Sequence, residues 1–193
     1  MNEQSPARKR ILEAAFALFT SRGIDATTTR EIAAAAEVNE VTLFRHFGTK
    51  DGLVRAAVEH SVPAETLPRL DDLQLTGNLQ ADLVTITRTV LEIHREREEF
   101  FHFVFANIVQ RPDNRQFFSN MQIPLLDWIE NFFAPFCKST PISAKALSLE
   151  FIGSIVMRSI RRIFLENTFM DDETYISQHA LILASAIDVY AKD

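Results

Sequence analysis

Between residues 28 and 50 the chain sets out, in close succession, side chains that nucleic-acid chemistry uses: Thr28, Arg30, Thr42, Arg45 and Lys50. Arginine and lysine neutralise phosphate oxygens, and an arginine fork can also take the O6 and N7 acceptors of guanine. A threonine hydroxyl near a helix N-terminus can donate to phosphate, and a threonine methyl can meet the methyl of thymine. Lys50, Arg45 and Thr28 are therefore candidate phosphate contacts, while Thr42 and Arg30 are candidate base readers. Signals for other chemistry are sparse. There is no glycine-rich phosphate loop and no Gly-x-Ser-x-Gly, and the single cysteine, Cys137, excludes an intrachain disulfide or a cysteine-based metal cluster. Glu99-Phe100-Phe101-His102 is a Glu-x-x-His pair of the sort helical di-iron proteins use in twos, but His46, His60, His94 and His179 lack an acid three positions earlier. A helical metal enzyme would need that second pair, so neither enzymatic activity nor a cofactor is expected.

Short helices at close spacing must position these side chains. Ile11, Ala14, Ala15, Leu18 and Phe19 recur at helical spacing after Pro6, and Gly23 supplies a stop. Thr28-Thr29-Arg30-Glu31 matches the capping box, in which threonine and glutamate satisfy each other's free backbone N–H groups. A second helix therefore begins near Thr29 and runs through Ile32 and the alanines Ala33 to Ala36. Asn39 can cap a third, Glu40 to Phe47, ended by Gly48, and Thr49 can cap a fourth from Lys50. Helix, short turn, helix is the layout of a helix-turn-helix, whose second helix enters the major groove. Eight residues at a rise of about 1.5 Å span about 12 Å, comparable with the groove width of about 12 Å. Leu43 and Phe47, four apart, are expected to pack inward against Ile32, Leu12 and Phe16.

The run Thr28-Thr29-Arg30-Glu31-Ile32-Ala33, then Val38, then Thr42-Leu43-Phe44-Arg45-His46-Phe47-Gly48-Thr49-Lys50, then Leu53, resembles the TetR-family DNA-binding signature over about residues 7–60. That resemblance implies an all-α protein of about nine helices. An N-terminal three-helix helix-turn-helix DNA-binding domain, residues 1–62, would precede a C-terminal helical ligand-binding and dimerisation domain, residues 63–193. It implies groove-facing roles for Glu40, Val41, Thr42 and Phe44, and backbone contacts for Thr28, Arg45, His46 and Lys50; Thr29 and Arg30 complete the expected DNA-binding set. Three positions depart from the family pattern. Glu37 replaces the usual turn glycine at a point that calls for positive φ, at a cost of about 1 kcal/mol. Phe44 replaces a common tyrosine and loses a phenol that could donate to phosphate, and Glu40 brings an acid that repels phosphate but can accept from cytosine.

Composition agrees with a folded helical chain: 47% hydrophobic and 24% charged residues are ordinary for globular proteins, and five glycines with seven prolines are too few for the turns of a β-sandwich. The net charge of −6 argues against a nucleic-acid partner until its distribution is considered. Residues 1–60 hold 8 Lys/Arg and 8 Asp/Glu, so the whole deficit falls in residues 61–193, with 12 against 18. The longest uncharged stretch, 174–187, is 14 residues, short of the roughly 18 to 20 that span a bilayer. Glu13 interrupts the apolar run that follows Arg8-Lys9-Arg10, so no export signal is read. A soluble, cytoplasmic protein with no membrane partner is expected.

Beyond residue 50, breaks at Pro63, Pro68, Gly77-Asn78, Pro112-Asp113 and Pro135 to Pro141 predict helices over about 50–60, 79–95, 98–109, 114–136, 143–166 and 172–191. Phe100, Phe101, Phe103, Phe105, Phe117, Phe118, Trp128, Phe132 and Phe133 cluster in two of them, either lining an apolar cavity or filling a core. The TetR resemblance places a small, mainly apolar effector there, with His94, His102, Phe103, Asn107, Trp128 and Phe132 as candidate contacts and Gln110 beside them. The last helix is apolar nearly all round and needs cover on several sides. Leu147, Phe151, Ile155, Ile182, Leu183 and Ala186 are the expected homodimer interface; a single buried central helix in a monomer is the alternative. A two-fold dimer would read an inverted-repeat operator in double-stranded DNA with its readers about 34–36 Å apart. An effector preferring another separation would shift the population away from DNA, with the fourth helix as the link, which describes a ligand-responsive repressor. A helical protein whose N-terminal module recognises another protein remains the rival.

Overall fold

The structure, a computed structural model, describes residues 5–62, 66–110, 116, 120–166 and 169–190, the side chains of 106–110 excepted. Its regular structure among the described residues is entirely helical, and local caps set the limits. Helix α1, Pro6–Arg22, starts at Ser5 and stops at Gly23, which takes φ 81°. Helix α2, Thr29–Ala35, opens with the expected reciprocal pair: the Glu31 N–H donates to Thr28 Oγ1 (3.2 Å) and the Thr28 N–H to Glu31 Oε2 (2.8 Å). Asn39 Oδ1 accepts from the Thr42 N–H (2.7 Å) to start α3, Glu40–Phe47, and Thr49 Oγ1 accepts from Gly52 (3.0 Å) to start α4, Lys50–Ser61. There follow α5 Thr66–Asp71, α6 Leu79–Glu96, α7 Glu98–Gln110, α8 Ile123–Cys137, α9 Ala144–Leu165 and α10 Asp172–Asp188. Helix α5 has no counterpart in the expected set, because six residues containing Pro68 are too few to show a helical period. Of the helix expected over 114–136, residues 114–115 and 117–119 lie outside the described residues. No helix of the described residues is long and apolar enough to cross a membrane.

The chain forms two compact units, Met1–Val62 with Glu99–Phe117, and Pro63–Glu98 with Phe118–Asp193. In the first, α1 packs on α2, α3 and α4 around Ile11, Leu12, Phe19, Ile32, Leu43 and Leu53, all fully buried. Each such side chain stabilises the unit by roughly 1.5–3 kcal/mol. Helix α7 contributes to this same core: the Phe103 ring meets Phe16 edge-on at 5.6 Å and stacks with Phe19 at 6.4 Å, and Phe100 lies 6.2 Å from Phe16. Phe103, expected beside an effector, is packing for the N-terminal helices.

In the second unit α9 packs on α8 and α6, and α10 packs on α6, around Leu83, Ile86, Val90, Phe133, Phe151, Ile155, Ile176 and Ala180. The buried Asp82 carboxylate accepts from the Thr76 N–H, the Thr76 hydroxyl and the Gly77 N–H, which pins the turn leading into α6. The interface expectation needs correction here. Leu147, Phe151, Ile155 and Leu183 are at most 6% exposed and fill this protomer's own core. Spacing of four along α9 puts the first three on one helical face, and that face is the inward one. The outward apolar residues are Leu149 and Met157 on α9 and Leu181 and Ile182 on α10; of the expected set only Ile182 is open, and Ala186 is half-buried.

Polar groups also hold this unit together. His179 Nδ1 lies 3.2 Å from Thr87 Oγ1 and its Nε2 2.6 Å from Ser154 Oγ, joining α10 to α6 and α9. His94 Nδ1 lies 2.7 Å from Ser159 Oγ. Burial pushes His179 down to about 4; burial, with Arg162 adding repulsion, pushes His94 down to about 3. Both rings are neutral when folded, whereas in the unfolded chain each takes up a proton near pH 6.5. Below pH 6.5 the unfolded state binds more protons, so stability falls with pH, by about 2 kcal/mol per ring at pH 5. Thermal melts between pH 7.5 and 5 are expected to show a steep loss that is roughly halved in His179→Gln; a flat profile in the parent protein would contradict the buried neutral pair.

Candidate nucleic-acid interface

The turn between α2 and α3 is closed by two backbone bonds, Val38 N–H to Ala33 O (2.9 Å) and Glu37 N–H to Ala34 O (3.1 Å). This is the Schellman arrangement, which needs a left-handed residue immediately after the helix cap Ala36, here Glu37 with φ 54°. Arg10 adds a tie from α1, its Nε–H donating to Ala36 O at 3.0 Å. Thr27, fully buried, donates its hydroxyl to Gly23 O at 2.8 Å and holds the chain ahead of α2. At the other end Gly48 stops α3 with φ 70°. A Cβ on Gly52 would lie 2.3 Å from Phe47 O, so only glycine lets the first turn of α4 approach the end of α3. Thr27, Arg10 and Gly52 were not singled out from sequence; a glycine in the first turn of α4 was the one signal available for any of them.

These constraints orient α3. Leu43 is fully buried and Phe47 half-buried beneath the Arg8 guanidinium, which sits 5.6 Å over its ring. Val41, Phe44 and Arg45, at i, i+3 and i+4, share the exposed face; Val41 is 76% and Phe44 42% exposed. Thr42, His46 and Lys50 are half-buried at its margins, and Thr28 and Arg30 are exposed at the start of α2. Two expected contacts are partly engaged within the protein. Thr29 donates its hydroxyl to Glu40 Oε1, leaving the second carboxylate oxygen of Glu40 for another donor, and the Thr28 hydroxyl serves Glu31. The Thr28 N–H and hydroxyl, with Arg22 also nearby, hold the Glu31 carboxyl below the usual carboxylate range.

The candidate effector residues do not fall in one unit. His94 is buried against Ser159, Phe103 belongs to the N-terminal unit and His102 is exposed there. Trp128 stacks on Phe132 at 6.3 Å and donates its Nε1–H to Asp71 at 2.7 Å, tying α8 to α5. The side chains of Asn107 and Gln110 lie outside the described residues. Among the described residues no three His, Cys, Asp or Glu side chains converge as metal ligands would.

A capped helix, a left-handed tight turn and a second helix with one sealed and one open face define a helix-turn-helix protein. Residues 11–57 match the model of the bacterial regulatory proteins of the tetR family. An uncharacterized HTH-type transcriptional regulator of Bacillus subtilis, YvkB, is 40% identical over 101 residues, 52% of this chain and 51% of that protein. The HTH-type transcriptional repressor Rv3405c of Mycobacterium tuberculosis is 56% identical over 50 residues, 26% of this chain and 27% of that one. The matches thus span about half and about a quarter of the length of these relatives. A putative TetR-family transcriptional regulator from Syntrophomonas wolfei superposes with a TM-score of 0.75 at 14% identity, covering 94% of each chain. FadR of Bacillus subtilis, solved with stearoyl-CoA, gives 0.69 at 12% identity, covering 91% of this chain and 96% of that one, a likeness of fold. Residues 11–57 therefore resemble the DNA-binding module of the tetR family, and the fold as a whole is that of TetR-family structures.

Because Glu37 holds a conformation that glycine adopts without strain, Glu37→Gly is expected to stabilise the protein by about 1 kcal/mol while leaving the α3 surface as it is. Denaturant unfolding measures this; a loss of stability would mean that the side chain contributes more than its backbone costs.

Proposed function

We propose that the chain is a ligand-responsive transcriptional repressor that binds an inverted-repeat operator as a homodimer. The observation that carries this reading is the outward face of α3, where an exposed apolar pair, Val41 and Phe44, sits beside Arg45 over a sealed Leu43. Thymine methyls and base edges complement such a pair, and phosphates complement Arg30, Arg45 and Lys50 around it. Similarity to the M. tuberculosis repressor across this module supports repression. Self-association is supported by the exposed apolar residues Leu149, Met157, Leu181 and Ile182 on α9 and α10. A two-fold pair offers two copies of α3, hence a palindromic site. The effector is small and mainly apolar, like the acyl chain of the stearoyl-CoA solved with FadR but without its charged coenzyme A part; Trp128 and Phe132 are its proposed contacts, since His94 and Phe103 are committed to a hydrogen bond and to core packing.

The same apolar pair would also suit a protein partner, and salt separates the two. Binding to DNA weakens steeply as salt rises because phosphate counterions are released, whereas an apolar protein interface responds little. In fluorescence anisotropy with a selected inverted-repeat duplex, Lys50→Ala is expected to weaken all sequences alike and lower the salt slope by about 2, one phosphate contact from each protomer. Thr42→Ala should cost about 1 kcal/mol at particular bases. Unchanged affinity in both variants would remove α3 and α4 from the interface.

The dimer has its own test. Ile182→Asp places a carboxylate in the proposed interface, where an unpaired buried charge costs several kcal/mol, and should give a folded monomer in sedimentation. Ala184, 3% exposed, is the wrong position for this, because a charge there would disrupt the protomer itself. A persistent Ile182→Asp dimer would exclude this face.

A further inference from the structure

Among the described residues four buried side-chain polar atoms have no hydrogen-bond partner: Arg161 Nε, Arg162 Nε, Arg162 Nη2 and the Tyr175 hydroxyl. Three belong to the last two turns of α9 and the fourth to the first turn of α10. Buried donors with nothing to donate to are rare, and two on one guanidinium, as on Arg162, mark a place where an ion or ligand can complete the set. Nε and Nη2 of Arg162 form one edge of a single guanidinium, the edge that grips a carboxylate or phosphate through two parallel hydrogen bonds. Arg162 lines a cleft of about 360 Å³ together with Arg158, Glu166, Asp171 and Asp172.

The neighbouring acids leave that edge unused. Asp172 is held by Arg158, whose Nε–H donates to Oδ1 at 2.9 Å, and it also pairs with Arg95. Asp171 caps α10, accepting from the Thr174 N–H (2.8 Å) and hydroxyl (2.7 Å). Glu98 is the carboxylate paired with Arg162, but its Oε2 is 3.6 Å from Nη2, beyond hydrogen-bond distance, and its side chain is half exposed. Burial first, and Arg95 as well, lower the pKa of Arg162 from the usual arginine value, with Glu98 opposing.

We propose that this cleft binds a small oxyanion, a carboxylate or a phosphate group, which Arg162 grips side-on once the Glu98 carboxylate gives way. The site is built from residues of the second unit alone. Isothermal titration of the full chain with inorganic phosphate and with butyrate, at ionic strength fixed by chloride, tests it. One or both should saturate at one site per chain, and the anion that does so identifies the source of the oxyanion. Arg162→Gln should weaken binding at least about tenfold, and Arg162→Lys, which keeps the charge and loses the fork, nearly as much. Glu98→Gln removes the competing carboxylate and should tighten binding several-fold. Failure of both anions to saturate either the parent chain or Glu98→Gln would overturn the site. So would parent-like affinity in folded Arg162→Gln; should that variant not fold, unchanged or weaker binding by Glu98→Gln does the same.

Discussion

The left-handed residue at Glu37 is the constraint on which the reading surface depends. With φ at 54°, two backbone hydrogen bonds close the end of α2, and the chain reverses in three residues before Asn39 begins α3. A longer turn would leave the roll of α3 about its axis free. Rotation by one residue, about 100°, would carry Leu43 out of the core and Val41 toward it. The burial of Leu43, the Gly48 stop and the Gly52 approach all confirm one roll angle, and together they turn a helix of eight residues into a defined surface. The unfavourable backbone at Glu37 is tolerated because the rest of the motif determines it several times over.

How much of this was legible in the sequence follows from the range of each interaction. The capping box at Thr28 and Glu31 and the caps at Asn39 and Thr49 are complete within four residues, so the N-terminal helices could be read directly, whereas the positive φ at Glu37 was implied by the family resemblance, whose turn usually has glycine there. The inward face of α3 was legible for the same reason, since Leu43 and Phe47 are its only four-spaced large apolar pair. Partners distant in sequence were not legible. Phe103 looked like a neighbour of Trp128 because both lie in aromatic runs, yet it fills the core beside Phe16 and Phe19. On α9 and α10 apolar residues occur on nearly every face, so the pattern could not distinguish the stripe buried at home from the stripe left open, and Leu147, Phe151, Ile155 and Leu183 were assigned to the wrong one. Polar residues inside the second unit were hidden too: nothing local to His179 announces that Thr87, 92 positions earlier, supplies its partner.

Helix α9 shows why these assignments matter together. Its 22 residues make a rod about 33 Å long whose faces are committed differently along one rigid backbone. Leu147, Phe151 and Ile155 anchor it in the core, Leu149 and Met157 look outward, and Ser154 and Ser159 meet the two buried histidines. Arg158, Arg161 and Arg162 crowd three like charges into its C-terminal turns, where the partial negative charge of the helix end helps to hold them but does not satisfy their N–H groups. A close-packed core transmits small displacements instead of absorbing them. The arginine end and the outward apolar face therefore belong to one rigid element, anchored between them in that core.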